Sequence, residues 1–439
     1  MTTAHIEAAP GTLPDPPDVQ PIRYPSIFAA LFAPFGISSG YVSVTLAFLL
    51  KQAGLPVALI AAVTALSVLP QTPKMLWAPF VDTIGNPKLW YGIGAAICGG
   101  SIVLMSVLPM TRAELPIFSV LIIISSVAST FVSMSSEIFM ANYVPEAVRG
   151  RASGWSQVGN LGGGGIGGGL GLVIAEHVSA PWVSGAVLAA ICMACWVGVV
   201  FMPTHRRAPT KGIHDNLGHA SWAYLVSLWH VILDVWMVLR SRLGLLALII
   251  MILPIASGGV TFSAIADEWH AGANMVALVN GVAGGFAAAL GALVGGYLYD
   301  RIDKKVAYCL FGILVGLVAV AMAYAPRTPS MFALFVLAYQ FMTGGGYAGY
   351  VAIILEAIGK KSAATNFNVM AALSNVPIWA MTTFDGWTHD KFGTVGMFWG
   401  ELLLPAATIA AFGLLALLTG VLSRLNALEA QVSKLVTPP

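Results

Sequence analysis

Charge is what this chain has least of. Of its 439 residues only 9% are Asp, Glu, Lys or Arg, 58% are hydrophobic, and the mean hydropathy is +0.83. Soluble domains are about one quarter charged, so water as the only solvent is excluded and a lipid bilayer is implied as a partner. A net charge of +2, with the basic residues scattered through short segments, speaks against nucleic acid. Cysteine is scarce too. Cys98, Cys192, Cys195 and Cys309 all sit in apolar runs, and the Cys192-x-x-Cys195 pair lacks a second ligand pair, so no metal or redox role is expected. The chain has no G-x-x-x-x-G-K-[ST] loop and no H-E-x-x-H or nucleophile–base set within its apolar runs, so neither an ATP-driven pump nor an enzyme is expected, and no cofactor. Residues 1–25 carry six prolines and no apolar stretch, the pattern of a disordered tail rather than a signal peptide.

Long apolar runs are present in abundance. Stretches able to cross a core about 30 Å thick fall near 26–50, 57–80, 90–108, 115–143, 155–176, 182–202, 244–265, 274–298, 306–325, 330–355, 363–381 and 395–421. With the N-terminus inside, 17 of the 21 Lys and Arg residues lie on inner loops or helix ends, and only Lys51, Arg112, Arg327 and Lys391 lie outside. That asymmetry places both termini in the cytoplasm and the chain in the inner membrane. It also supports twelve spans, because a missed helix would invert every later loop.

The longest connection, 203–243, divides an N-terminal bundle (26–202) from a C-terminal one (244–422), with tails at 1–25 and 423–439. Trp222, Trp229 and Trp236 recur in it at sevens with Leu225, Ile232 and Leu239 between, a pattern that suits an interfacial amphipathic helix or one packed under the bundle. The halves repeat. Asp82 ends the second span in "WAPFVDTIGNPK" and Asp300 ends the eighth in "GGYLYDRIDKKV". A carboxylate at such a place can bond a neighbouring helix N-terminus in one conformation and release it in another.

The stretch Gly296-x-x-x-Asp300-Arg301-x-x-Lys304-Lys305 resembles the loop motif of the major facilitator superfamily, and "PEAVRGRASG" after span four resembles its next cytoplasmic loop, with Arg149 the implied partner of Asp82. In the first-half copy Ala78 and Thr83 stand in place of the motif's glycine and basic residue. The resemblance implies an all-α polytopic fold of two pseudo-symmetric six-helix bundles. A narrower one, carried by "KMLWAPFVD", "GGGYAGYVAIILEAIGKKSAATNFNVMAALS" and "GWTHDKFG", is to the AmpG muropeptide permeases and related acetyl-coenzyme A carriers, although Gln340 stands where those permeases have a carboxylate. It implies proton-linked import of a bulky sugar–peptide solute by a monomer. The alternatives are a carrier of siderophores, peptides, sugars or acyl-coenzyme A, or a membrane sensor that does not transport.

An ionisable group inside a bilayer is a functional candidate by default. Glu137 lies eight residues before Pro145 and so about 12 Å inside its helix end. It suits a proton site, a structural pair with Lys74, or a substrate contact. Candidates for the solute cavity are Ser39, Tyr41 and Ser43 in span one, Gln340, Tyr347 and Tyr350 in span ten, and Asn368, Asn375 and Trp379 in span eleven, whose rings can stack on sugar or acyl groups while amides and hydroxyls bond them. Asp267, Glu268 and His270 at the outer end of span seven, with Asp385, His389 and Asp390 in the last outer loop, read as solvated loop charges, as an outer gate or as an adventitious metal site.

"GNLGGGGIGGGLG", residues 159–171, contains a literal G-x-G-x-x-G, but no strand precedes it and no acid follows about 20 residues on. In lipid the run belongs in helix. Gly159, Gly163, Gly167 and Gly171 recur at fours, and span eight carries Gly284, Ala288, Gly291 and Gly295. The expectation is a small-residue surface on which spans five and eight meet between the halves.

Overall fold

The computed structural model describes residues 24–74, 76–77, 81, 86–144, 149–202, 256–299, 301–358 and 372–419, with a few positions between 226 and 249. The described secondary structure is helical throughout, and eight of the helices are long and apolar enough to cross a membrane. The N-terminal half comprises α1 (Ile27–Gln52), α2 (Val57–Ala65, prolonged by a 3₁₀ turn at Leu69–Gln71), α3 (Pro87–Val107), α4 (Leu115–Tyr143), α5 (149–177) and α6 (Trp182–Val200). The C-terminal half comprises the outer part of α7 (Phe262–Ile265, then a 3₁₀ turn Ala266–Trp269), α8 (Ala273–Tyr299), α9 (Lys304–Tyr324) and α10 (Pro329–Ile358). A last stretch, Asn375–Thr419, is divided by Gly393, whose φ of 70° ends α11 (375–392) and begins α12 (394–419). "Outer" denotes the end at which α1 meets α2. In the linker, Trp229 and Trp236 are helical and exposed, while Trp222 lies outside the described residues, as do both tails beyond Arg23 and Thr419.

Local signals set the helix ends. Pro87 opens α3 behind Asn86, whose side chain accepts from the Lys88 N–H at 2.9 Å, and Asp303 caps α9 by accepting from Lys305 and Val306 N–H. Within the N-terminal half, α4 brings a row of buried hydroxyls. Ser125 pairs with Ser38 of α1 at 2.7 Å, Ser126 donates to the Ser67 carbonyl at 2.6 Å, and Thr130 accepts from the Trp77 indole at 2.9 Å. Each satisfies a polar atom that lipid could not.

The glycine rows lie otherwise than the sequence suggests. A Cβ on Gly159, Gly163 or Gly167 would strike the carbonyl of Ala29, Ala33 or Ile37, so this row packs on α1, and Gly171 meets Leu188 and Thr45. The α8 row faces α10: a Cβ on Gly291 would strike the Phe341 carbonyl, Gly295 approaches Gly345, Ala288 lies under Gly344, and Gly284 meets Gln340. Spans five and eight do meet, on the adjacent faces, through Gly165 and Gly169 against Ala277, Gly281 and Val282. A helix with glycine on several sides can approach three neighbours closely, and α1, with Gly36 and Gly40 opposite Asn160 and Gly164, claims the deepest row. Here α1, α5 and α8 each loosen into a π-helical turn, at Tyr41–Leu46, Ile166–Leu170 and Ala277–Ala283, and the three turns touch. Thr45 donates to the carbonyls of Gly167 and Gly168 in the α5 turn at 3.0 and 2.9 Å.

Gly163→Ala should therefore destabilise the protein by about 1–3 kcal/mol through overpacking. Gly162→Ala, one residue earlier, where nothing stands within 4 Å, should be neutral or stabilise by up to about 1 kcal/mol. Thermal unfolding of the two detergent-solubilised variants checks this; equal melting temperatures would show that the row does not bear on α1.

Candidate functional site

Between the halves lies a cavity of about 210 Å³, walled by Ser39 and Ser43 of α1, Asn160 of α5, Asn280 of α8 and Gln340 of α10 among a lining of glycines. Its described lining is polar but carries no charge. Asn280 donates to the Ser263 hydroxyl of α7 at 2.7 Å. A second cavity of about 230 Å³ lies inside the C-terminal half, bounded by Tyr308, Thr343, Tyr347, Tyr350 and Ser374 and reaching Gly258.

Gly258 marks a departure from the expected span 244–265. Residues 256–261 are not helical, and Gly258 and Gly259 adopt φ of 69° and 77°, values that only glycine takes without strain. Backbone freed inside a bilayer must find protein partners, and two helices supply them. Gln340 of α10 donates to the Gly258 carbonyl at 3.4 Å from the cavity wall. Glu401 of α12 accepts from the Ser257 N–H at 3.3 Å, from the Ser257 hydroxyl, and from the Tyr339 hydroxyl at 3.1 Å to each carboxylate oxygen. Ser257, Tyr339 and Glu401 are 0%, 1% and 3% exposed.

Asp385 stands beside this cluster and is 0% exposed. The sequence reading put it in an outer loop after residue 381. In the structure α11 continues to residue 392 and the chain breaks only at Gly393, while Thr383 and Thr388 satisfy their hydroxyls on carbonyls of the preceding turn. Asp385 is consequently an intramembrane carboxyl and not a solvated one. A buried aromatic group closes the cluster from the outer side, with Phe262 edge-on to Tyr339 at 4.8 Å and to Phe398 at 6.0 Å, and Trp269 at 6.1 Å from Phe398.

The outer charges form a network. Glu268 accepts from His389 at 3.0 Å and from Thr394, and pairs with Arg327 at 3.5 Å, whose guanidinium lies 3.8 Å over the Trp269 ring. Burial pushes the Glu268 carboxyl up, but the hydrogen bonds from His389 and Thr394 and the charges of His389 and Arg327 outweigh it and hold the group below the usual carboxylate range. Three contacts join this end to the N-terminal half. Lys51 pairs with Asp267 at 3.7 Å, the Ala58 N–H at the start of α2 donates to Asp390 at 3.2 Å, and Gly386 packs directly on Ala58 and Ala61. The two halves are thus closed upon each other at the outer end.

Of the residues singled out from the sequence, Ser39, Ser43 and Gln340 share the interdomain cavity, and Tyr347 and Tyr350 share the second. Tyr41, on the opposite face of α1 from Ser39 and Ser43, is 1% exposed and belongs to the apolar core. Asn375 donates to the Ala372 carbonyl at 3.1 Å, and Trp379, partly buried, lies a turn further along α11. Lys74 and Glu137 form an ion pair at 3.8 Å between α2 and α4, away from both cavities. On the inner side Gly296 ends α8 in open space, Arg301 lies over Tyr297 at 4.1 Å, and Lys304 and Lys305 open α9. Asp82, Asp300 and Asn368 lie outside the described residues, as does the side chain of Arg149, whose backbone is helical. No group of three or more metal-ligating side chains occurs among the described residues.

Glu401 was missed from the sequence although a sufficient signal was there: an acid seven residues into the expected span 395–421 meets the same test as Glu137. Ser257-Gly258-Gly259 carried the other signal, since consecutive glycines within a span point to a break.

Comparison with known proteins agrees with this architecture. No curated protein sequence is a significant match. Among solved structures, the nucleoside transporter NupG superposes with a TM-score of 0.65 at 14% identity, over 89% of this chain and 98% of its own. A POT family transporter in complex with a thioalcohol-conjugated peptide gives 0.64 at 13%, over 90% and 95%. The inward-open xylose transporter XylE from E. coli gives 0.60 at 13%, over 87% and 94%. These likenesses establish the fold, and a family model covers residues 27–377. The chain belongs to the Major Facilitator Superfamily, and is a multi-pass membrane transporter.

Proposed function

We propose that this protein imports a polar organic solute of the sugar–peptide class across the inner membrane, with both termini cytoplasmic, by alternating access coupled to protons. The observation that carries the reading is the uncharged, amide- and hydroxyl-lined cavity between two halves whose outer ends are closed on each other. Ser39, Ser43, Asn160, Asn280 and Gln340 offer donors and acceptors to sugar hydroxyls and peptide groups, and the glycines beside them let the solute approach backbone. Support for a muropeptide comes from the resemblance of 74–82, 344–374 and 386–393 to muropeptide permeases. Tyr347 and Tyr350, whose ring centres stand 5.5 Å apart, supply a surface for the acyl or peptide end in the C-terminal half. The Lys74–Glu137 pair, satisfied within the N-terminal half, is read as a tie between α2 and α4.

The direct test is uptake of radiolabelled anhydro-muropeptide in a bacterium lacking its own permease, at acid and alkaline external pH. Accumulation that rises with the inward proton gradient is expected. Failure to accumulate at either pH would redirect the reading to a peptide, sugar, nucleoside or acyl-coenzyme A solute.

Outer closure gives two further expectations. Asp390→Ala removes the charged acceptor from the start of α2 and should shift the closed-to-open ratio by roughly five-fold, equivalent to about 1 kcal/mol. Faster labelling of an Ala58→Cys reporter by an externally added thiol reagent would record it, and an unchanged rate would count against this contact. Because Glu268 is held below the usual carboxylate range, its contribution to stability is complete above that range and is lost as pH falls through the lowered value. Wild type should therefore exceed Glu268→Gln in thermal stability at neutral pH, with the difference narrowing on acidification; a difference that does not change with pH would remove Glu268 from the network.

A further inference from the structure

The transport reading leaves one group without a task. Both carboxylate oxygens of Asp385 are buried and have no hydrogen-bond partner among the described residues, and the groups beside the side chain are Glu401 and Ser257. Such an acid deep in a helix bundle is neither solvated nor paired with a cation, and that arrangement does not persist without an occupant. Its neighbour Glu401 already accepts from the Ser257 N–H and from the hydroxyls of Ser257 and Tyr339. Glu401 therefore has the donors suited to a carboxylate, while Asp385 has none.

We propose that Asp385 and Glu401 form the coupling-ion site of this transporter, holding a single proton between their carboxyl groups. Two like charges side by side in a dehydrated site repel strongly, and one proton converts the repulsion into a hydrogen bond. On release the bridge is lost and the charges separate, so occupancy is felt by α7, α10, α11 and α12 together.

Geometry places this site between the two sides. His389 is one helical turn from Asp385 towards the outer end of α11, bonded to Glu268 and within 3.6 Å of Asp390, and it marks a route for protons from outside. Towards the cavity, Tyr339 holds Glu401 while the next residue, Gln340, bonds the Gly258 carbonyl and lines the cavity wall. The broken segment of α7 connects both: Ser257 binds the dyad, and Gly258 binds the cavity residue. Loss of the proton pulls on Ser257 and thereby on Gln340, which couples ion to solute without shared contact. This site rests on the transport reading for its purpose but not for its existence.

Infrared difference spectroscopy on the full chain in lipid vesicles, with pH stepped between neutral and alkaline in sodium-free buffer, reads the carbonyl stretch of protonated carboxyls without any solute. Wild type and Glu137→Gln are expected to show one such band, Asp385→Asn to lose it, and Glu401→Gln to keep a band whose loss moves to lower pH, because the neighbouring like charge is gone. Glu401→Asp keeps two carboxyls and should retain the band at a shifted position, which separates loss of the site from loss of the fold, the latter monitored by helix content and gel-filtration elution. Absence of the band in wild type, its survival in Asp385→Asn, an unchanged titration in Glu401→Gln, or its loss in a well-folded Glu401→Asp would overturn the proposal. Disappearance of the wild-type band when sodium is added at constant pH would overturn it in favour of a metal cation. Failure of muropeptide uptake would leave the band unaffected, so the two readings fail separately.

Discussion

Glu401 holds together a stretch, residues 256–261, that is not helical although it lies within an expected span. A backbone released from helix inside lipid must be given partners or it forfeits several kcal/mol per unsatisfied group. Ser257 is released in this way where α7 breaks, and its N–H and hydroxyl are both met by the Glu401 carboxylate. Tyr339 secures that carboxylate from α10 and is itself packed edge-on against Phe262, the first helical residue after the break. The interruption of α7, the placement of Gln340 in the cavity wall and the aromatic closure above it all depend on this contact. Without the acid, the Ser257 N–H and hydroxyl lose their acceptor, and the Gln340 bond to Gly258 remains as the other tie on this segment.

The rest of the scaffold depends on how closely the helices can approach. α1 lies on α5 at carbonyl-to-glycine distance along three turns, and α8 lies on α10 in the same manner. Those are rigid contacts within a half. The surface between α5 and α8 is different in kind: Gly165, Gly169, Gly281 and Ala277 oppose one another at wider spacing, and both helices relax there into π-helical turns. Close backbone packing thus stiffens each half, and the looser glycine face is left for the boundary where alternating access requires movement.

Much of the architecture was legible because hydropathy in a bilayer is nearly a structural rule, and among the described residues helices stand in most of the expected spans. Matched depth brought Lys74 and Glu137 into one of three readings of Glu137, and the structure places the two 3.8 Å apart. What escaped was anything decided by which face of a helix a residue occupies or by where a span stops. Glycine at fours predicts a close neighbour but not which one, so Gly163 was assigned to α8 and lies on α1. Polar residues after Met381 looked like a loop, whereas "TTFDGWTHDKF" is helix: Thr383 and Thr388 direct their hydroxyls to carbonyls one turn back, Asp390 accepts from α2, His389 bonds Glu268, and Asp385 is buried. Ser39, Ser43 and Gln340 reached the cavity, while Tyr41, between the two serines, could not share their face.

The two halves satisfy buried polarity by different means, and this bears on where an ion can act. In the N-terminal half the interior of α4 is lined by hydroxyls: Ser125, Ser126, Ser129, Thr130, Ser133, Ser135 and Ser136 are all buried, and most bond backbone carbonyls or other hydroxyls. A hydroxyl gives and accepts without changing charge, so this row, unlike the Lys74–Glu137 pair on the same helix, is insensitive to protons. The C-terminal half places carboxyls at the corresponding depth, on α11 and α12, together with a broken helix whose backbone responds to them. Under the proposed coupling, a charge change at these carboxyls acts on the C-terminal half, and Gln340, bonded to Gly258 and lining the cavity, is the point at which it reaches the solute.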